Sequence, residues 1–398
     1  MTTPLQYENV GRSLGTDYFR IADQLTEEES DIWRRARDFV DDEVLPVIGD
    51  YWEKAELPWP LLRRLGELGL VGDGIAGYGC PPMSPVASGL VHMELNRGDG
   101  SLGTFVGVQA GLAMQSIAML GSEEQKQRWL PRLAKGELIG AICMTEPGTG
   151  SDLKGIRTRA VKQGDHYVID GGKTFITNGW LAGLLMLVVR TDAGDRSRGL
   201  SIVMVETKDL PGYRVGRVLD KMGLHGQDTS ELFFEGVKVP VGNLLGGVEG
   251  EGMHQLMHDL PYERTVIAVG AVGAMEGGVD ETLKYVRERK TFGQPVWNYQ
   301  NTRFKLAELA SITRIARVFS DRCIVELVAG KLDTETASMA KYWTTDMQQK
   351  VLDECVQLHG GYGYMNEYLV CRLFADSRVQ RIYGGTNEIM KEVIARGL

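Results

Sequence analysis

The pattern of hydrophobic positions changes twice along the chain and divides it into three parts. From about Thr26 to Lys135, apolar residues recur at three- and four-residue steps, which predicts amphipathic helices. From about 142 to 245, short β-branched runs between turn residues predict a small antiparallel sheet or barrel. From Gly250 to the C-terminus helical periodicity returns in long segments typical of a bundle. We therefore expect an α+β protein with domains at 1–140, 141–248 and 249–398.

Local signals place the first elements. Thr26 precedes three glutamates and should cap the first helix, because a hydroxyl and acidic residues stabilise a helix N-terminus. Further helices are expected at 60–69, 86–97 and 103–120, and after Ser122 as far as Leu133, with a Gly/Pro-rich loop at 74–85. The expected strands lie in the runs HYVIDGGKTFITNG, GLLMLVVRTD, GLSIVMVET and TSELFFEGVKVP.

Composition excludes several protein classes. The chain has 398 residues, of which 43% are hydrophobic and 24% charged, as in ordinary globular proteins. A formal net charge of −9 without a long basic run argues against nucleic acid as the main partner. Five cysteines without C-x-x-C spacing indicate reduced thiols and a cytoplasmic location. The chain contains no uninterrupted run of 18 apolar residues, so no membrane span is predicted. The first 25 residues contain no apolar core of a secretory signal.

Two loops have a composition suited to ligand binding. Residues 141–152, AICMTEPGTGSD, end an apolar run in glycines that permit close backbone approach and in hydroxyls that can donate or accept hydrogen bonds. Residues 173–179, KTFITNG, place an aromatic ring and a hydroxyl before an Asn-Gly turn. Either loop alone is more often a plain turn. Together they could line one side of a flat ring system.

These two segments, with QLHGGYGY at 357–364 and GGTNEIM at 384–390, resemble the signatures of the acyl-CoA dehydrogenase family of flavoproteins over roughly residues 22–398. The resemblance implies FAD, a homotetramer, and three regions: an N-terminal helical domain, a middle antiparallel β-barrel domain and a C-terminal four-helix bundle. It implies oxidation of an acyl-CoA thioester to a trans-2-enoyl-CoA, with an electron-transferring flavoprotein as electron acceptor. The N-terminal third is most similar to glutaryl-CoA dehydrogenases and short-chain acyl-CoA oxidases.

The reaction needs a base for a weakly acidic α-proton and hydrogen-bond donors for the enolate oxygen. Many members of the family carry the base as Glu directly before Gly-Thr in the C-terminal signature, where this chain has Gly384. The isovaleryl-type and long-chain-type branches carry it before an Arg on an earlier helix, and Glu263-Arg264 matches that position. We expect Glu263 to be the base, since an apolar helical stripe follows it and burial raises the pKa of a carboxyl. The alternative is a surface Glu paired with a cation.

The resemblance also assigns contacts. The backbone N–H of Gly384 would bind the thioester oxygen, Arg264 would lie in the substrate pocket, and Ser151 would lie between cofactor phosphate and the pantetheine arm. Phe175 and Thr177 would contact the flavin ring, with Thr177 near its N5 edge. The other matched cofactor positions, some reaching the flavin of a neighbouring subunit, are Met144, Thr145, Arg289, Phe292, Gln300, Gln357, Gly360, Gly361, Thr386 and Glu388.

Four further positions are less decisive. Arg97 matches a carboxylate-binding position of glutaryl enzymes, but an Arg is common there and does not indicate a dicarboxylic substrate. His254 and His258 have metal-ligand spacing without an accompanying carboxylate, so surface histidines are the expectation and no metal is predicted. Pro261 should kink or start the helix just before Glu263. Where many relatives carry an Asp that touches pantetheine, this chain has Pro261.

Three alternatives remain open at this stage. One is an oxidase of the same fold that passes electrons to dioxygen. Its peroxisomal form is disfavoured, because the sequence ends Ala-Arg-Gly-Leu instead of a peroxisomal signal of the Ser-Lys-Leu type. The second is a non-catalytic subunit that binds flavin or a CoA ester. The third is a flavin monooxygenase or a nitroalkane oxidase relative.

Overall fold

The computed structural model describes residues 25–191 and 199–398. The expectation about a secretory signal in the first 25 residues lies almost wholly outside this part of the chain. Thr26 caps the first helix as expected: its side chain accepts from the Glu29 backbone N–H, and the Glu29 carboxylate accepts from the Thr26 N–H. Ser122 and Gln125 form the same reciprocal pair at a later helix. Both are capping boxes, and each satisfies two N–H groups that a helix N-terminus leaves unpaired.

The N-terminal part of the described chain is helical. Its longest apolar stretch, Gly100–Leu120, is one near-continuous helical rod with a central π-helical segment, Gly107–Met114. By length and composition this stretch could cross a membrane, but 72% of its most apolar window is buried inside the protein, which is typical of a core helix. The helices are α1 Glu27–Asp38, α2 Ile48–Lys54, α3 Trp59–Glu67, α4 Pro85–Gly98, α5 Gly100–Val106, α6 Gln115–Leu120 and α7 Glu123–Ala134, with a π-helical Phe39–Val44 after α1.

In the described part of the chain, a seven-stranded curled sheet follows. Its strands are β1 Gly140–Cys143, β2 Arg159–Gln163, β3 His166–Thr177, β4 Leu184–Arg190, β5 Leu200–Glu206, β6 Tyr213–Val218 and β7 Thr229–Pro240. The strand order is β1-β4-β2-β3-β7-β6, and β5 also pairs with β4. The expectation of an antiparallel sheet is incomplete, since β4 runs parallel to β1 and to β2. The sheet is therefore mixed.

Strand β4 explains how the sheet is attached to the helices. Alternate residues of a strand face opposite sides of a sheet. Leu184, Met186 and Val188 join the core formed with the N-terminal helices, whereas Leu185 and Leu187 join a second core inside the curled sheet. Both faces of β4 are thus buried, which accounts for its unbroken apolar sequence.

Long helices form the C-terminal part. They are α8 Gly252–Glu288, α9 Gln300–Val328 and α10 Thr334–His359, with shorter α11 Leu369–Ser377 and α12 Asn387–Gly397 and a hairpin of β8 Lys290–Thr291 and β9 Gln294–Pro295. Pro261 lies inside α8, so a helix does not start there, and the other expected effect, a kink before Glu263, stays a prediction. The missing proline N–H costs one backbone hydrogen bond, and the tertiary packing of this 37-residue helix outweighs that cost.

Helices α4 and α8 cross at unusually close range. A Cβ added to Gly273 would overlap the carbonyl oxygen of Met93, and one added to Gly277 would lie 2.5 Å from the Arg97 carbonyl oxygen. Glycine is therefore required at these positions, because the two backbones touch. This contact fixes α8, and the residues it carries, against the N-terminal helices.

We predict that Gly273→Ala lowers the free energy of unfolding by about 1–3 kcal/mol, since the added methyl must push two helix backbones apart. Chemical denaturation would measure the change. Gly242→Ala is the matched control, because a Cβ there meets nothing within 4 Å, and its effect should be small. Equal stability of the two variants would contradict the close crossing.

Candidate active site

A pocket of about 520 Å³, including the space at its mouth, lies between the Gly100–Leu120 rod and α8. Three glycines of the rod, Gly103, Gly107 and Gly111, line one wall, and Val266, Ile267 and Gly270 line the α8 side. The remaining lining residues are Asn96, Thr104, Val108, Leu112, Tyr262, Glu263, Gln380 and Tyr383. The pocket is apolar along most of its length and has few polar groups, the usual character of a site for an apolar ligand.

Glu263 is the only carboxylate among the pocket-lining residues of the described chain. Burial raises the pKa of its carboxyl above the ordinary value of a Glu, and the nearby Asp259 adds to this effect. Arg264 and Lys341 oppose the rise. The Glu263 side chain is partly exposed to the pocket. A carboxylate with a raised pKa in an apolar pocket is suited to removing a proton near neutral pH.

The C-terminal signature meets Glu263 in space. Gly384 has φ of +62°, and a Cβ built on it would lie 3.5 Å from Glu263 Oε1. The same Cβ would overlap Ile267 Cδ1. A side chain starting at 384 and the side chain of Glu263 would therefore reach the same place. This convergence explains in physical terms how a base could be supplied from either position.

The helical turn that carries Glu263 is held by a polar cluster that the sequence analysis did not identify. Tyr262, next to Glu263, donates to Asp73 Oδ2, and Asp73 Oδ1 accepts from Ser88 and lies 2.8 Å from His92 Nε2. His92 lowers the pKa of Asp73, although burial works against this. The cluster ties α8 to the loop before α4. Its members are far apart in sequence, so no local signal marks them.

The two loop motifs lie side by side, as expected. The Thr174 N–H donates to the Thr145 carbonyl at 3.0 Å. The buried Lys173 Nζ donates to the Met144 carbonyl and to Glu146 Oε1, both at 2.9 Å. Glu146 also accepts from the backbone N–H groups of Arg157 and Thr158. The Glu of the first motif and the Lys of the second are therefore one buried ion pair that joins the loops.

The surface at these loops fits a flat heteroaromatic ring. Phe175 has φ of +59° and is 67% exposed, and Trp180 is 53% exposed, so two aromatic faces are open on either side of a buried turn. Gly148 and Gly150 have nothing within 4 Å of an added Cβ. Met144, Thr145 and Thr177 are partly exposed and Ser151 is exposed. The exposed rings and the open backbone leave room for a flat ring and an attached chain to lie against these loops.

A second cleft of about 940 Å³ lies at the end of α10, and Arg289, Gln357, Gly360 and Gly361 all line it. His359 also lines it and is 2% exposed, with Nδ1 2.8 Å from the Cys355 carbonyl and Nε2 without a partner. Since the carbonyl accepts the Nδ1 proton and burial lowers the pKa of His359, Nε2 is a free acceptor. The Arg289 guanidinium lies over the Tyr362 ring at the same cleft, and a cation beside the open glycines 360 and 361 fits the phosphate groups of a dinucleotide.

The other predicted cofactor residues line neither of these two pockets. Phe292 is 99% exposed on the β8–β9 hairpin and Gln300 is exposed at the start of α9. The Thr386 hydroxyl caps α12 by accepting from the Ile389 N–H, and Glu388 is exposed in the first turn of that helix. Their cofactor contacts stay predictions.

Two arginines point away from the pocket. Arg264 is 3% exposed and donates to Ser338 Oγ at 2.9 Å on α10, and it does not line the pocket. Its contact with substrate therefore stays a prediction. Arg97 is paired with Glu94 and Asp41, both at 2.6 Å, so its guanidinium is used within the fold.

Histidines and cysteines are the remaining residue types that could bind a metal or react. His254 and His258 have exposed side chains, and residues 25–191 and 199–398 contain no group of three or more metal-ligating residues. All five cysteines are free, and four are buried. Burial raises the pKa of Cys80 to about 11 and of Cys143 to about 12, so these thiols are unreactive.

Comparisons with known proteins agree with this arrangement. The family models for the acyl-CoA dehydrogenase N-terminal, middle and C-terminal domains match residues 26–137, 141–237 and 250–398. The pig long-chain specific acyl-CoA dehydrogenase (Sus scrofa) is 44% identical over 92% of this chain and 86% of its own length.

Two solved structures are similar along nearly the whole chain. An acyl-CoA dehydrogenase from Geobacillus kaustophilus has a TM-score of 0.89 and 44% identity over 94% of this chain and 98% of that one. A glutaryl-CoA dehydrogenase from Mycobacterium smegmatis in complex with FADH2 has a TM-score of 0.90 and 34% identity, covering 95% and 96% of the two chains. The chain belongs to the acyl-CoA dehydrogenase family, whose members are FAD-dependent oxidoreductases acting on a CH–CH bond.

Proposed function

We propose that Glu263 is the base of this acyl-CoA dehydrogenase and removes the α-proton of the bound thioester. The observation that carries the proposal is that a carboxylate with a raised pKa opens into an apolar pocket beside Gly384. Since no side chain of the signature occupies position 384, Glu263 supplies the proton acceptor there. In this step the α C–H bond breaks, the proton passes to the Glu263 carboxylate, and the electron pair moves toward the thioester carbonyl.

The Gly384 N–H is proposed to donate to the thioester oxygen as negative charge develops on it. A donor fixed by the fold costs no reorganisation at the moment of reaction, so it stabilises the enolate more than water would. FAD, when bound, supplies the acceptor for the β-hydrogen and its two electrons. The apolar side chains of Val266 and Ile267 line the pocket and would shield a bound acyl chain from water.

The proposed cofactor contacts divide into two groups. Met144, Thr145, Ser151, Phe175 and Thr177 belong to the joined loops and would hold the flavin ring and its adjacent groups, with Ser151 also near the pantetheine arm. The second cleft would hold adenosine and pyrophosphate through Arg289, Gln357, Gly360 and Gly361. Phe292, Gln300, Thr386 and Glu388 complete the proposed set, and Arg264 is retained as a proposed substrate contact.

We further propose a long-chain acyl substrate. Of the four glycines that line the pocket, Gly107 is the one whose added Cβ would meet nothing within 4 Å, so the pocket is open along that side. Open space beside an apolar wall lets methylene groups leave water, which favours longer chains. The 44% identity to a long-chain specific enzyme supports the same choice.

The remaining proposals concern the assembly. Phe292 and Tyr364 are strongly exposed, at 99% and 79%, and large exposed rings of this kind are typical of subunit contacts. They support a homotetramer in which one subunit completes the flavin site of another. An electron-transferring flavoprotein as acceptor, a cytoplasmic location and domains at 1–140, 141–248 and 249–398 also remain proposals.

We predict that Glu263→Gln lowers kcat by roughly 10²- to 10⁴-fold, because the amide cannot accept the α-proton. FAD content should be unchanged. Anaerobic titration of the purified holoenzyme with palmitoyl-CoA and butyryl-CoA, followed by flavin absorbance, measures the half-reaction directly. Reduction at the wild-type rate would reject Glu263 as base, and a wild type that no acyl-CoA reduces would favour the binding-subunit or monooxygenase alternatives.

Two controls accompany this titration. The wild-type kcat/KM should fall as pH is lowered through the pKa of Glu263, at a pH above the ordinary range of a Glu, because only the ionised carboxylate accepts a proton and burial raises its pKa. The residual activity of Glu263→Gln should not show this fall in kcat/KM at low pH. Rapid oxygen uptake during aerobic turnover would favour the oxidase alternative.

Gly107→Leu tests the chain length. A leucine side chain that displaces three methylenes of substrate, at about 0.8 kcal/mol each, should lower kcat/KM for palmitoyl-CoA by roughly 60-fold. The kcat/KM for butyryl-CoA should fall much less. For palmitoyl-CoA, the kcat/KM of Gly107→Ala should lie between those of Gly107→Leu and the wild type. Equal losses with the two substrates would mean that the acyl chain does not run along this wall.

A further inference from the structure

A lysine that the catalytic proposal does not use lies directly behind the active-site turn. Lys341, in the N-terminal third of α10, is fully buried, as are the neighbouring small residues Ala337 and Ala340. Its Nζ donates to the Gly385 carbonyl at 2.7 Å and to Asn387 Oδ1 at 3.0 Å. Burying an ammonium is costly unless it is well paired, so a lysine in this place requires a reason.

Both acceptors belong to the segment that carries Gly384. Gly384 and Gly385 have φ of +62° and +85°, so two successive residues adopt a left-handed backbone that little but glycine tolerates. Asn387 extends the attachment, since its Nδ2 donates to Thr345 Oγ1 at 3.0 Å and to Asp346 Oδ1 at 2.9 Å on α10. The turn is therefore fixed to α10 from both sides of Thr386, and Lys341 is at the centre of that attachment.

The charge of Lys341 also acts on the base. Lys341 is one of two cations that hold down the pKa of Glu263, and Glu263 is the charged group with the largest effect on Lys341. The other cation, Arg264, is bonded to Ser338. Burial lowers the pKa of Lys341 to about 8, so the ammonium form still predominates at pH 7.

We propose that Lys341 is a positioning residue for α-proton removal. It acts through the Gly385 carbonyl and Asn387, which fix the turn that carries Gly384 beside Glu263, and its positive charge stabilises the ionised carboxylate. This inference rests on the proposed roles of Glu263 and Gly384. A purely structural role predicts that replacing Lys341 lowers stability or FAD content. The proposal predicts that proton removal is impaired while stability and FAD content stay the same.

The experiment uses the FAD-loaded enzyme with Lys341→Met, which keeps most of the length of the side chain and removes its charge and donors. Lys305→Met is the matched control, since Lys305 pairs with Glu354 at 2.8 Å on the partly exposed face of α9. The probe is a 3-thia-acyl-CoA, whose α-carbon can lose a proton but which has sulphur in place of the β-carbon and no β-hydrogen to transfer. Its anion beside oxidised flavin gives a long-wavelength absorption band.

We expect Lys341→Met to lose most of this band at neutral pH and to lower kcat by roughly 10²-fold, the size expected for a misplaced catalytic group. KM, FAD content and Tm should stay close to those of Lys305→Met. An unchanged band and kcat would overturn the proposal. Losses of Tm and FAD in proportion to the loss of activity would also overturn it, because they would show a structural role only.

A second variant keeps the proposal testable if Lys341→Met does not fold. Asn387→Ala removes one of the two acceptors and leaves the lysine in place, and it should weaken the band and kcat in the same direction but less. Unchanged values would contradict the attachment. Glu263→Gln with the same probe separates the two proposals, because a band that persists in that variant rejects Glu263 as base regardless of the result for Lys341.

Discussion

The close contact between α4 and α8 is the constraint on which the site depends. Glycines at 273 and 277 let the backbone of α8 rest on the carbonyls of Met93 and Arg97. Glu263 lies three helical turns before this contact on the same rigid helix, so its distance from the Gly100–Leu120 rod is set there. The pocket is the space that remains between the rod and α8 beyond the point of contact.

The two motif turns near the site are held by the same kind of interaction, a buried lysine that donates to a backbone carbonyl and to a side-chain oxygen. Lys173 fixes the first loop by binding the Met144 carbonyl and Glu146, and Lys341 fixes the last turn by binding the Gly385 carbonyl and Asn387. Each lysine is buried and each binds a backbone carbonyl in a glycine-rich loop. Such loops have high conformational entropy, and a buried ammonium that must be paired removes much of that freedom.

Local rules account for much of the fold. The caps at Thr26 and Ser122 follow from short hydroxyl side chains before acidic or amide residues, and the expected strands from β-branched runs. The parallel pairing of β4 and the continuation of α8 through Pro261 could not be read locally. Strand direction depends on chain connections across the sheet, and the tolerance of a proline depends on how much packing the whole helix gains.

At the active site the sequence by itself determined the family, through ordered motifs, and it singled out Glu263 as the candidate base because position 384 is glycine. Only the tertiary structure decided that Gly384 and Glu263 meet, that Arg97 is paired within the fold, and that Lys341 lies behind the active-site turn. The physical reason is that a motif records which groups are present, whereas the partner of each charge depends on which helices cross. Those crossings are fixed by close backbone contacts between residues far apart in the chain.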